Sequence, residues 1–206
     1  MHNQSLSRRE QNKADAYLAI HRAAYRLVVE NECNAPVEEI AAEAGVSQRT
    51  FFNYFKSKEE AVVGLRAPQI TRAQHDELRE NGGHNLFDRV VSLYFHVVRD
   101  TVIDPDSFRS RVAVFRERPE HKIFLHRHMA ACESAVNDAV AEVLADLNLD
   151  VAGLGSPEAS ARGIATFAGS VVRYTFSTHP DALSDDGELR FREALDVFRR
   201  LMKETQ

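Results

Sequence analysis

The sequence predicts an all-helical chain in two parts of different grain. Three observations predict it. Between glycines and prolines, apolar residues recur three and four positions apart; no stretch alternates convincingly with period two; and after a first long segment the next ones, up to about residue 66, are short, whereas those beyond lengthen again. With 206 residues, 44% hydrophobic and 28% charged, there is material for one large domain or two small ones, and nothing compels disorder.

The elements follow in order. In "KADAYLAIHRAAYRLVVEN", Tyr17, Ile20, Ala24, Leu27 and Val28 form one buried stripe of a first helix of roughly 20 residues that ends near Asn31. Pro36 suits the first turn of a second, short helix, "VEEIAAEAG", which Gly45 stops in a left-handed conformation. Ser47 N-caps a third helix. "SKEE" at 57–60 reads as a capping box, with Ser57 and Glu60 serving each other's end of a fourth that ends before Pro68.

Beyond it, "NLFDRVVSLYFHVVRDTVI" places Leu86, Val90, Leu93, Tyr94, Val97 and Val98 on one face. Asp104 and Pro105 cap and begin the next helix, and another runs from about Pro119 to Leu147 with Phe124, Met129, Cys132, Val136, Val140, Val143 and Leu147 inward. Ser156 and Pro157 open a helix striped by Ile164, Phe167, Ala168, Val171, Val172 and Thr175. The last begins at Glu188 with Phe191, Leu195, Phe198 and Met202 inward. The expected domains are therefore 1–66 and 67–206.

Composition excludes several classes. No apolar run approaches the roughly 20 residues of a membrane span, and "MHNQSLSRREQNK" lacks a signal peptide's apolar centre, so the chain reads as cytoplasmic. Cys33 and Cys132 form no CxxC pair, and His121, His126 and His128 do not converge on one ion, so no metal or cofactor is expected. His96 and Asp100 stand at i, i+4 spacing and read as a surface pair. The chain has no GxSxG, Walker loop, HExxH or GxGxxG, and it is not expected to be an enzyme.

The net charge of −5 argues against non-specific coating of nucleic acid, but its distribution is uneven. Arg8, Arg9 and Lys13 against Glu10 make a local +2; Arg49, Lys56 and Lys58 make +3; Glu30, Glu32, Glu38, Glu39 and Glu43 lie between them. Two basic patches flanked by acid orient a polyanion rather than grip it everywhere.

Two short helices joined by a tight glycine turn are the helix-turn-helix signature, here in "VEEIAAEAGVSQRTFFNYF". Ile40, Ala44, Val46, Phe51 and Phe55 would face inward. Gln48, Arg49, Thr50, Asn53 and Tyr54 face outward, side chains that hydrogen-bond base edges or phosphates, whereas a merely solvated helix carries Glu and Lys pairs. Lys58 and the start of the fourth helix lie where a phosphate can sit. The same hairpin geometry also occurs in helical proteins that bind no DNA, so a helical dimeric scaffold or ligand binder without specific DNA binding stands as the alternative.

"VEEIAAEAGVSQRTFFNYFKSKEEAV", preceded by "AIHRAAYRLVVEN", resembles the DNA-binding domain of TetR-family transcriptional regulators over about residues 15–65. The resemblance implies a homodimeric repressor that binds a palindromic double-stranded DNA operator, and a C-terminal domain, 67–206, that binds a small-molecule effector and dimerises. It puts Gln48, Arg49 and Thr50 on base- or phosphate-contacting positions, Tyr54 and Lys58 on phosphates, and Arg8, Arg9 and Lys13 on the arm and first helix; Ser47 and Asn53 join them as candidate DNA-binding residues from their place on the third helix. Phe52 departs from the family, standing where a tyrosine hydroxyl often meets a phosphate. "NAPVEE" also departs, leaving Asn34 or Ala35 to begin the second helix where a threonine cap is usual.

For a partly apolar effector pocket the candidates are Phe115, Phe124, His128, Phe167 and Tyr174, with Arg111 or Arg173 as anion partners. The helices 157–178 and 188–203 are expected to pair with their symmetry mates as a four-helix dimer interface.

Overall fold

The computed structural model describes residues 8–30, 35–80, 85–105, 108, 111, 119–149, 151–179, 182–183 and 186–204. Among them are α1 (Arg8–Glu30), α2 (Val37–Glu43), α3 (Gln48–Tyr54), α4 (Lys58–Val63), α5 (Arg72–Arg79), α6 (Leu86–Thr101), α7 (Pro119–Asp146), α8 (Pro157–Thr178) and α9 (Gly187–Glu204), with a 3-10 turn at Val151–Gly153 and no strand. The class is all-α. No described helix is long and apolar enough to cross a membrane. Cys33, Asn34 and Phe115, and most of the helix expected to follow Pro105, lie outside the described residues.

By internal contacts the chain forms two units, Met1–Arg66 with Val102–Phe124, and Ala67–Thr101 with Leu125–Gln206. In the first, Ile20, Ala24 and Val28 of α1, Ile40 and Ala41 of α2, Phe51 of α3 and Ala61, Val62 and Val63 of α4 are buried, while Tyr17 and Leu27 are half-buried. Pro36 sits one position earlier than its sequence suggests. It is the N-cap of α2, extended at φ −73° and ψ 158°, and Val37 is the first helical residue.

The fourth helix departs further from expectation. Ser57 accepts from the Glu60 N–H at 3.2 Å, but the Glu60 carboxylate reaches back to the Lys56 N–H, at 2.6 Å, rather than to Ser57. Gly64 lies not within the helix but at its end, left-handed at φ +75°, where a Cβ would come within 2.8 Å of the His21 ring. Glycine is required there for both reasons.

The end of α4 is then fastened to the returning segment 102–111. Leu65 and Val102 form an antiparallel bridge, and the Ile103 N–H donates to the Gly64 carbonyl at 2.8 Å. Arg111, 1% exposed, donates to the Val63 carbonyl at 3.1 Å and to the Ile103 and Asp104 carbonyls at 2.5 and 3.0 Å, with its NH1 3.4 Å from the Asp104 carboxylate. Asp104 is itself left-handed at φ +55°. A guanidinium with five donors suits a cluster of carbonyls at a helix C-terminus, where the backbone dipole is negative. These carbonyls are why so large a cation is tolerated in the interior.

In the second unit α6 packs against α8 and α5, and buries Val90, Val91, Leu93, Tyr94, Phe95, Val97 and Val98, a wider face than one stripe. Phe95 stacks on Phe191 of α9 at 4.5 Å between centroids and on Phe176 of α8 at 5.9 Å. Asp88, 8% exposed, accepts both Nε and NH2 of Arg199, at 3.3 and 2.7 Å, joining α6 to α9. Ser156 caps α8, accepting from the Ala159 N–H at 3.2 Å, with Pro157 in the first turn, as expected. Three expectations are corrected. Leu147 is 50% exposed because α7 ends at Asp146, and Phe167 is 40% exposed although it lies on the α8 stripe. His96 faces Glu188 of α9 at 3.3 Å, while Asp100 accepts from Gln74 at 3.2 Å, so those two do not pair.

Candidate DNA-reading surface

The hairpin of α2 and α3 is set by local chemistry. Ala44 ends α2, Gly45 turns left-handed at φ +70°, and the Val46 N–H returns to the Ala41 carbonyl at 2.9 Å. Ser47 then caps α3, its hydroxyl accepting from the Thr50 N–H at 3.1 Å, an interaction worth about 1 kcal/mol. Phe51 and Phe55, 0% and 1% exposed, anchor the inner side of α3.

What remains outside is polar. Ser47, Gln48, Arg49 and Asn53 are exposed and Thr50 is half-buried, its hydroxyl 2.8 Å from that of Ser47. Gln48, Arg49 and Asn53 thus present amide and guanidinium groups on seven residues of helix, with no acid in its first turn to oppose a polyanion. Tyr54 is half-buried. Its ring meets Tyr17 of α1 edge-on at 4.8 Å, and Tyr17 in turn meets Phe55 edge-on at 5.2 Å with the Arg66 guanidinium 5.0 Å above it. Burial raises the Tyr17 phenol above its ordinary range even against the nearby Arg66. The Tyr54 ring thus rests against α1.

Lys58, half-buried, is the first residue of α4, and Arg8 and Lys13 are exposed on α1. Arg9 lies on α1 with its side chain outside the described set. Arg26 of α1 pairs with Glu43 of α2, so one of the acids that follow the first helix is neutralised within the unit.

Of the effector candidates, Phe115 lies outside the described residues and the other six divide between the two units. Arg111 and Phe124 belong to the first unit and His128, Phe167, Arg173 and Tyr174 to the second. Arg111 is occupied by carbonyls, as above. The Thr101 hydroxyl donates to the Val98 carbonyl at 2.6 Å and accepts from His128 Nε2 at 3.0 Å, and Cys132 Sγ lies 3.7 Å from the same nitrogen. Burial lowers the imidazole to about 4 and pushes the thiol up to about 12, which favours the neutral form of each. Arg173 NH1 lies 3.6 Å from Glu133. Phe167 and Tyr174 are exposed, against Phe198 of α9 at 6.3 and 5.6 Å.

The second unit carries a groove of about 460 Å³ between α5, α6 and α9, and none of those six described residues is among its lining. Leu78, Leu93, Phe191 and Leu195 form its floor and Arg89, Ser92 and His96 part of its rim. Sequence reasoning missed it for want of α5, although "TRAQ" is a legible capping box: Thr71 accepts from the Gln74 N–H and Gln74 from the Thr71 N–H. Among the described residues no group of three or more His, Cys, Asp or Glu can hold a metal ion.

The model of the family described as "Bacterial regulatory proteins, tetR family" matches residues 20–62, the stretch from Ile20 of α1 to Val62 of α4 that contains the whole hairpin. No curated protein matches the chain. Among solved structures, NalD, the secondary repressor of the MexAB-OprM multidrug efflux pump in Pseudomonas aeruginosa, is similar at TM-score 0.43 and 15% identity, over 90% of this chain and 96% of that one.

Proposed function

We propose that the chain, whose residues 20–62 match the tetR-family model, is a DNA-binding transcriptional regulator that acts as a homodimeric repressor, released from a palindromic operator by a small, partly apolar effector. The observation that carries the reading is α3: two buried phenylalanines on one side, and Gln48, Arg49 and Asn53 exposed on the other. Arg49 is assigned to a guanine edge, Gln48 and Asn53 to adenine edges or phosphate, Ser47, Thr50, Tyr54 and Lys58 to the backbone, and Arg8, Arg9 and Lys13 to flanking phosphates.

Residues 1–66 serve as the DNA-binding domain and 67–206 as the effector-binding and dimerisation domain. Within the latter, Val102–Phe124 folds with the first unit and is the segment that carries the signal. Its grip on the α4 carbonyls through Arg111 and Ile103 supports this, because a shift of the segment must move the end of α4. Release requires only that two reading helices no longer match half-sites about 34 Å apart. The groove floored by Leu78, Leu93, Phe191 and Leu195 is the proposed effector site; its volume lies in the range of small-molecule pockets. The exposed rings Phe167 and Tyr174 on α8 and Leu201 on α9 are the proposed dimer face.

The test is selection of duplexes from a random-sequence library, followed by gel shift. A recovered palindrome, bound by the wild type and weakened by Arg49→Ala and Tyr54→Ala with the oligomeric state intact, is expected. Failure to enrich any duplex, or binding indifferent to both substitutions, sinks the reading of α3.

A further inference from the structure

We propose that Phe52 is a base-reading residue whose ring packs on the C5-methyl group of a thymine in the major groove. The inference rests on the DNA-binding reading above and adds a chemistry that the hydrogen-bonding residues of α3 do not supply. Phe52 is 54% exposed, whereas its neighbour Phe51 is fully buried. A helix advances about 100° per residue, so Phe52 lies about 40° from Gln48 and about 60° from Arg49 around α3. The ring therefore shares the exposed side with two groups suited to base edges.

Its orientation is set from below. The Phe51 and Phe52 ring centroids are 5.3 Å apart at 83°, an edge-to-face contact with a side chain that cannot move out of the core. A phenyl ring has no hydroxyl, so it neither donates to nor accepts from a phosphate. Among base edges in the major groove the apolar feature is the thymine methyl, which apolar side chains contact and which distinguishes thymine from cytosine. A large ring held in water on a helix otherwise lined with Gln, Arg, Thr and Asn gains burial only from a partner that is polar around it and apolar at one point. Thymine in a duplex has that character. A deoxyribose contact is the competing use of the ring, and it would carry no sequence preference.

The full-length protein is used to select duplexes from random-sequence DNA, and each thymine of the recovered duplex is replaced in turn by deoxyuracil. That replacement removes the methyl and leaves the hydrogen-bonding edge unchanged. The expected result is one thymine per half-site at which uracil weakens wild-type binding about fourfold, the worth of one buried methyl-sized group. Phe52→Ala should bind the thymine duplex as weakly as the wild type binds the uracil one, with no further loss on uracil. Its helicity and thermal midpoint should match the wild type, since the ring is exposed. Wild-type binding that is indifferent to uracil at every thymine overturns the proposal. So does a Phe52→Ala variant that weakens all duplexes alike while keeping the methyl sensitivity. Failure to recover any duplex overturns the DNA-binding reading and this one together; a duplex bound without methyl sensitivity overturns this one alone.

Discussion

α3 and α8 both leave aromatic rings in water, in opposite surroundings. On α3, Phe52 is 54% exposed beside the exposed polar side chains Gln48, Arg49 and Asn53. On α8, Phe167 and Tyr174 are 40% and 37% exposed, and each leans on another ring: Phe167 stacks on Phe87 at 4.9 Å, and both meet Phe198 of α9 edge-on. A ring among hydrogen-bonding groups fits a polar partner with one apolar point. A run of rings fits another run of rings. The neighbourhood of an exposed aromatic, more than its exposure, thus points to the class of partner.

Breaking the second half of that comparison should give the largest effect. Phe167→Glu with Tyr174→Glu places two charges on the proposed dimer face of each protomer and removes up to four buried rings from the pair. Dimer dissociation should rise at least about a thousandfold, because each fully buried ring contributes on the order of 1.5–3 kcal/mol. Sedimentation at micromolar concentration should find monomers that keep wild-type helicity. A dimer that survives the double substitution would place the interface elsewhere.

Next in size is a pH effect that involves both units, since burial lowers the imidazoles of His21 in the first and His128 in the second. His21, 2% exposed, donates from Nδ1 to the Ala61 carbonyl at 2.7 Å, and burial lowers it to about 4; His128, beside Thr101, is lowered to about 4 as well. An unfolded histidine takes up its proton near pH 6.5, whereas these do not until about pH 4. Between those values the unfolded chain binds more protons, so stability is full above pH 6.5 and falls as pH drops. For His21 the loss is about 2 kcal/mol by pH 5 and about 3 kcal/mol by pH 4. Urea unfolding at pH 7, 6 and 5 checks this, and a midpoint that holds constant over that range would mean that His21 is not buried in solution.

The first half of the comparison is probed by Arg49→Ala. Loss of a guanidinium from a base edge should weaken operator binding by about 10- to 100-fold, the 1–3 kcal/mol of one good bidentate contact. Thermal stability should not change, because Arg49 is exposed and buries nothing. A uniform loss across unrelated duplexes, with a reduced salt slope, would reassign Arg49 from base to phosphate.

These tests follow what local sequence specifies. The turn at Gly45, the cap at Ser47 and the anchors Phe51 and Phe55 are each decided within about ten residues, so α3 and its outer face were legible before the fold. Helix α5 is equally local, since its Thr71–Gln74 box is complete within four residues. Long-range partners are not legible in the same way. Arg111 reads as an anion partner in a pocket, yet it donates to the carbonyls of Val63, Ile103 and Asp104, of which the first lies 48 positions away in the chain. A stripe at helical spacing likewise says that Phe167 is apolar; it does not say whether its cover comes from within the chain.

The smallest expected effect concerns what holds the α8 rings in line. Asp88 follows Phe87 on α6, and Arg199 follows Phe198 on α9, so their two-pronged contact joins the residues next to the rings that flank Phe167 on either side. Hydrogen bonding by Asp88 raises the Arg199 guanidinium above its ordinary value, but Arg199 is 40% exposed, which discounts the pair relative to a buried one. Asp88→Ala should therefore cost about 1–2 kcal/mol of unfolding free energy rather than the roughly 3–5 kcal/mol of an uncompensated buried charge, since the freed guanidinium can turn to Asp196, already 2.8 Å away, and to water. If the rings form the dimer face, loosening α9 should also raise dimer dissociation severalfold. Operator contacts of α3 should keep their sequence preference, because nothing in the reading helix changes. Stability lost with no change in dimerisation would mean that the ion pair braces the bundle without aligning the rings, and the run of aromatics on α8 would then need another explanation.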